Sequence, residues 1–179
     1  MIGGTANKRE APEVLPLDVR VREPFDAFYR AEYPKLIRVL FGMTGRWGLA
    51  EEIAQEAMLS AYQKWTKVQS LDRPDLWLRR VAVNRAISTH RRTIAEIAAL
   101  ARLPVATHKV ELPPLKDEAV WRHVKRLPPR QRVALVLWAV EGHTLADIGE
   151  VIGCSEETAR THLRRARERL RARIEEETI

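Results

Sequence analysis

The stretch CSEETARTHLRRARERLRARI, from Cys154 to Ile174, carries seven arginines between Arg160 and Arg173. Guanidinium groups at that density suit anions, because arginine can fork onto a phosphate or onto the guanine edge. At about 100° per residue, Arg160, Thr161, Arg164, Glu168 and Arg171 fall within roughly a third of a helix circumference, with Arg165 at its border. Ala159, Leu163, Ala166 and Leu170 recur at i, i+4, i+7 and i+11 on another face. One side must therefore pack while the arginine side stays outward. Taken alone, such a helix could equally be a solvated surface with Glu157 and Glu168 as partners at helical spacing.

The preceding residues favour the first reading. A short apolar segment, TLADIGEVI, stops at Gly153 before the basic helix starts with Ser155 as N-cap and Thr158, rather than the ideal Glu, three residues on. Short helix, glycine turn and longer basic helix make up a helix-turn-helix, whose second helix enters the major groove. Gly149 lets the helices approach closely, Gly153 can supply a positive φ, and Leu145, Ile148, Val151 and Ile152 form the packing face. Arg160, Thr161, Arg164 and Arg165 then become candidate DNA readers.

A second polar array lies earlier in the chain. In PDLWLRRVAVNRAISTHRR, Arg80, Asn84, Ser88 and Arg91 follow at i, i+4, i+8 and i+11 along an otherwise apolar helix. Other chemistry finds little support. The five histidines are scattered without ligand spacing, and Cys154 is the only cysteine, so neither a metal site nor an intrachain disulfide is expected. No phosphate-loop, dinucleotide or nucleophile-elbow motif occurs, and no cofactor is expected. His143 or Asp147 with Glu150 could serve a helical enzyme, but no nucleophile accompanies them and no catalysis is expected.

The elements that position these residues read as all-helical. Phe25 to Met43 has apolar residues at helical spacing, with Pro24 as a good first helical residue and Pro34 breaking or bending the run. GLAEEIAQEAMLSAYQKW forms a second amphipathic helix with Glu51, Glu52, Gln55 and Glu56 at polar positions. Pro74 starts the third, in which Trp77 reads as core. Residues 1–22 lack periodicity and read as a disordered tail, and prolines punctuate a linker over 95–115. Helical periodicity resumes at Val120, halts at Pro128 and Pro129, and ends at Gly142. The expected fold is thus all-α, two small helical domains over 23–94 and 116–179 joined by a flexible linker, the second containing the helix-turn-helix.

A formal charge of +7 and a sequence pI near 10.0 point to a polyanionic partner. No apolar run approaches the ~18 residues needed to span a bilayer, and the first residues lack a signal-peptide core. A soluble, cytoplasmic protein is expected.

The chain resembles the extracytoplasmic-function group of bacterial RNA polymerase sigma factors over most of its length. YRAEYPKLIRVL, AEEIAQEAMLSAYQKW and WLRRVAVNRAIS resemble that family's second region, and LPPRQRVALVLWAVEGHTLADIGEVIGCSEETARTHLRRARERLR resembles its fourth. The resemblance implies that Glu52, Gln55 and Glu56 dock on core RNA polymerase. It implies that Arg80, Asn84, Ser88 and Arg91 meet the minus-ten element, with the loop Lys67 to Arg73 holding an unstacked base. Thr158, Arg160, Thr161, Arg164 and Arg165 would read the minus-thirty-five element, and Arg130 and Arg132 would lie near phosphates or the polymerase flap. An anti-sigma factor is an implied partner. Gly149 stands where the family commonly has alanine, a harmless exchange by size. The rival reading is a free-standing helix-turn-helix regulator whose N-terminal half senses or dimerises.

Overall fold

The computed structural model describes residues 19–100 and 118–177, with side chains over 25–89 and 120–177. Among these residues every regular element is a helix: α1 (Val19–Thr44), α2 (Trp47–Gln63), α3 (Trp65–Val68), α4 (Pro74–Leu100), α5 (Glu118–Lys125), α6 (Pro129–Glu141), α7 (Leu145–Ile152) and α8 (Glu156–Glu177). No helix among them is long and apolar enough to cross a membrane.

α1 and α2 pack as an antiparallel pair because one offers bulk and the other offers room. Leu36, Ile37, Val39, Leu40, Phe41 and Met43 of α1 are buried, and α2 faces them with Ala50, Ile53, Ala54, Ala57, Met58 and Ala61. The alanines cost no rotamer freedom and let the helices lie close. Gly45, at φ 64°, closes α1 by donating to the Phe41 carbonyl at 2.7 Å. At the opposite end Phe25 meets Tyr62 and Trp65 edge-on, with ring centroids 5.0 and 5.3 Å apart. Each such pair adds about 0.5–1.5 kcal/mol beyond its buried area. α4 covers this pair with Leu76, Leu78, Ala82, Val83 and Ala86, and Trp77 packs half-buried against the same core.

Two boundaries differ from the sequence expectation. α1 starts at Val19, ahead of Pro24, and continues past Pro34 as one helix, so of the helix or helix pair that the spacing allowed, the single helix is found. α4 continues to Leu100, taking in the Ala/Ile/Leu run that was read as the first part of the linker. The tail over 1–18 and the linker over 101–115 lie outside the described residues.

In the C-terminal half, α6 starts at Pro129, where the missing amide is an orphan anyway, and Gly142 caps it at φ 70°. Arg132 corrects another expectation: it is buried, not turned towards DNA or polymerase. Its guanidinium donates to the carbonyls of Leu127 at 3.0 Å, Lys125, and Met43 at 2.7 Å. Lys125 and Met43 lie in the last turns of α5 and α1, where carbonyls lack helical partners and the dipole is negative. Burial without a carboxylate pushes the Arg132 pKa below its ordinary value.

The two helical domains do not stand apart. α1 packs against α5 and α6, α4 packs against α7, and their buried residues join in one continuous core.

Candidate nucleic-acid interface

The geometry of the helix-turn-helix is set by backbone capping. Thr144 Oγ1 accepts from the Asp147 amide at 3.2 Å and Asp147 Oδ2 accepts from the Thr144 amide at 3.1 Å, so α7 begins with a reciprocal cap. At its far end Gly153, at φ 74°, donates to the Gly149 carbonyl at 2.9 Å, and so does the Cys154 amide. Gly149 has a tighter constraint than its size suggested. A Cβ there would lie 2.8 Å from the Cys154 carbonyl oxygen, so the alanine common in the family would require this turn to shift.

Ser155 Oγ accepts from the Thr158 amide at 3.2 Å and starts α8 as expected. Ala159, Leu163 and Ala166 are buried and Leu170 packs at the margin of the core. Opposite them, Thr158, Arg160, Arg164 and Arg165 are exposed, and Thr161 is half-buried beside them. Arg160 is shared between Glu156 at 2.9 Å and Glu157 at 3.4 Å, and Arg164 holds Glu168 at 2.7 Å. Exposed pairs of this kind contribute about 0.3–0.5 kcal/mol, so a phosphate or base can displace them at little cost.

His162 lies among these residues without having been singled out by any sequence pattern. Burial, and then the Arg130 and Arg165 guanidiniums, push its pKa below the ordinary histidine value, and neither ring nitrogen has a hydrogen-bond partner. The imidazole thus lies near the guanidiniums of Arg130 on α6 and Arg165 on α8.

On α4, Arg80, Asn84 and Ser88 are all exposed along one face, as the stripe required. The Arg91 side chain lies outside the described residues. Their neighbour Arg79 points the other way, is 2% exposed, and forks onto Glu141. Burial acts to raise the Glu141 pKa, but Arg79 and His143 outweigh it and hold the carboxyl down to about 2. In the loop before α4, Arg73 forks onto Asp75 at 3.0 and 2.9 Å.

Glu52, Gln55 and Glu56 line an exposed face of α2, with Glu56 paired to Arg85 of α4 at 2.7 Å. Leu59 lies in the middle of this arc and is 56% exposed. Its helical phase, seven residues after Glu52, was the available signal, hidden because an apolar residue in an amphipathic helix is read first as core. Two of the residues weighed for an enzyme, Asp147 and His143, have structural partners. Asp147 caps α7 and pairs with Arg73 at 3.0 Å, while His143 Nε2 lies 3.1 Å from Glu141.

Comparison with known proteins gives the family of both halves of the chain. Residues 28–94 match the family model for sigma-70 region 2 and residues 117–170 match that for sigma-70, region 4. The chain is 32% identical over 171 residues to the ECF RNA polymerase sigma factor SigM of Mycobacterium tuberculosis, covering 93% of this chain and 86% of that one. It is 28% identical over 155 residues to the ECF RNA polymerase sigma factor SigW of Bacillus subtilis, covering 78% and 83%. Among solved structures, the fold is similar to the sigma factor RpoE bound to the anti-sigma factor NepR from Bartonella quintana, with a TM-score of 0.71, 21% identity, and 85% and 97% of the two chains covered. CnrH, in complex with the cytosolic domain of CnrY, gives a TM-score of 0.61 at 20% identity, covering 84% and 87%. The chain therefore belongs to the extracytoplasmic-function family of RNA polymerase sigma factors, which bind core polymerase and direct initiation at specific promoters.

Proposed function

We propose that this sigma factor divides promoter reading between its two halves, each assigned by residue. Thr158, Arg160, Thr161, Arg164 and Arg165 read the minus-thirty-five element as duplex. Arg80, Asn84, Ser88 and Arg91 meet the minus-ten element, with the Lys67 to Arg73 loop receiving an unstacked base. Glu52, Gln55 and Glu56 dock on core polymerase, with Leu59 as the apolar centre of that contact. The first unit runs from α1 to the end of α4 at Leu100 and the second from α5 onwards, tethered by the residues between, and the chain carries no catalysis of its own. Its place of action is the cytoplasm, where its polymerase and DNA are.

The observation that carries this reading is the pairing, in one chain, of a capped helix-turn-helix with an outward arginine face and a separate helix with an outward polar stripe. Tethered modules gain from each other only when something fixes their spacing, which here is polymerase. Because the Bartonella RpoE and CnrH structures hold a NepR and a CnrY partner respectively, we assign this chain an anti-sigma partner as well.

The test is run-off transcription with purified core polymerase on the gene's own upstream region. Polymerase-dependent initiation is expected, and Arg164→Ala with Arg165→Ala should reduce it at least tenfold, each lost guanidinium contact being worth about 1–3 kcal/mol. Tight duplex binding without polymerase, together with no initiation, would instead establish the free-standing regulator.

A further inference from the structure

The face of α2 assigned to polymerase and the stripe of α4 assigned to DNA share one side chain. Arg85 reaches from α4 to α2, where its Nη1 donates to Glu56 Oε2 at 2.7 Å and its Nη2 donates to Ser60 Oγ at 3.0 Å. Ser60 in turn donates to the Glu56 carbonyl at 2.9 Å, so the guanidinium is held against a single turn of α2. No sequence pattern singled out Arg85, although it follows Asn84 directly and Ser88 comes three residues later on the adjoining helix face. It therefore flanks the polar stripe on the side next to α2.

Glu56 has one carboxylate for two claimants. An ionised carboxylate only accepts hydrogen bonds, so whatever polymerase presents to Glu56 is a donor, and a cation binds it best. Arg85 is such a donor already, and a second cation brought to the same carboxylate is repelled by the first. The existing pair is easily exchanged: its side chains are 41% and 49% exposed, and a pair this wet shifts an equilibrium by about two- to fivefold. Arg79, by contrast, is 2% exposed with carboxylates on two sides, so it is not free to turn to DNA. Once Glu56 is taken, Arg85 keeps only the Ser60 hydroxyl, a neutral acceptor. The strongest acceptors then within reach of its long side chain are the phosphates of a strand lying along Asn84 and Ser88.

We infer that Arg85 is a phosphate contact of the minus-ten surface that changes partners: it rests on Glu56 and Ser60 in the free chain and turns to the DNA strand when polymerase takes Glu56. The inference rests on the surface assignments above. Docking then adds a cation to the DNA surface by exchanging one exposed ion pair, with no helix having to move.

The experiment uses the full-length chain, alone and bound to core polymerase, with a single-stranded probe copied from the non-template strand just upstream of the run-off start. Arg85→Ala should tighten association with core polymerase about two- to fivefold, because a competitor for Glu56 is gone. In the polymerase complex the same variant should weaken probe binding about tenfold and lower the slope of log affinity against log salt by about 0.7, the share of one phosphate on a single strand. In the free chain, where Arg85 is held on Glu56, it should change probe binding by no more than about twofold. Arg85→Lys keeps the charge and should restore the salt slope. A side chain that only shaped the helix pair would not move the slope, nor act differently with and without polymerase. Circular dichroism checks folding, and Arg85→Gln, which removes the charge but keeps much of the reach, decides should the alanine variant unfold. Weaker association with core polymerase would make Arg85 a brace for Glu56 and overturn the exchange, as would unchanged probe affinity and slope in the complex. Failure of the unmodified complex to bind the probe would instead sink the minus-ten assignment beneath the inference, a result seen without any variant.

Discussion

At the scale of single residues, two arginines that look alike in the sequence have opposite fates. Arg130 is exposed, whereas Arg132 donates to three backbone carbonyls. Arg132→Ala would leave those acceptors buried and unpaired, and unsatisfied groups cost about 1–3 kcal/mol each. We expect it to lower unfolding free energy by about 3 kcal/mol or more in urea titration, while Arg130→Ala stays within about 0.5 kcal/mol. Leu59 makes the complementary point. It is large, apolar and exposed in the middle of the arc that we assign to polymerase. Leu59→Ala should weaken association with core polymerase about tenfold while lowering the thermal transition only slightly, because more than half of its surface stays in water after folding.

At the scale of elements, the helix-turn-helix depends on its caps because α7 has only eight residues and little intrinsic helicity. Thr144→Ala removes the hydroxyl half of the reciprocal cap and should cost about 1 kcal/mol, read as a lower midpoint in thermal unfolding. The effect on DNA binding should exceed that on stability, since α7 fixes the angle at which α8 enters the groove. Thr144 was legible as the first residue of TLADIGEVI, and Asp147 three residues later has the spacing of a capping box. What the spacing could not show is that the same Asp147 carboxylate also reaches Arg73 of the other half. Burial acts to raise the Asp147 pKa, but bonds from Thr144 and the Arg73 charge leave it lowered.

At the scale of the whole molecule, the contact between the two halves is charge-dependent. Glu141 is held at about 2 against an ordinary 4.5, with Arg79, His143 and Glu32 as its charged surroundings. A depressed carboxyl pKa contributes stability that is fully present above about 4.5 and is lost as pH falls towards 2. The thermal unfolding midpoint should therefore hold at neutral pH and fall on acidification through that window, and Glu141→Gln should flatten the profile. The sequence by itself determined the helices, the two amphipathic domains, the outward arginines of α8 and the stripe of Arg80, Asn84 and Ser88. Those are properties of local periodicity, and which face is polar follows from spacing alone. Only the tertiary structure decided that α1 would run straight through Pro34, that Arg132 would be a buried staple, and that Arg79 would find Glu141. Each of those depends on which surfaces meet across the fold: packing can carry a helix past a proline, and a guanidinium is drawn from water only where distant residues supply its acceptors.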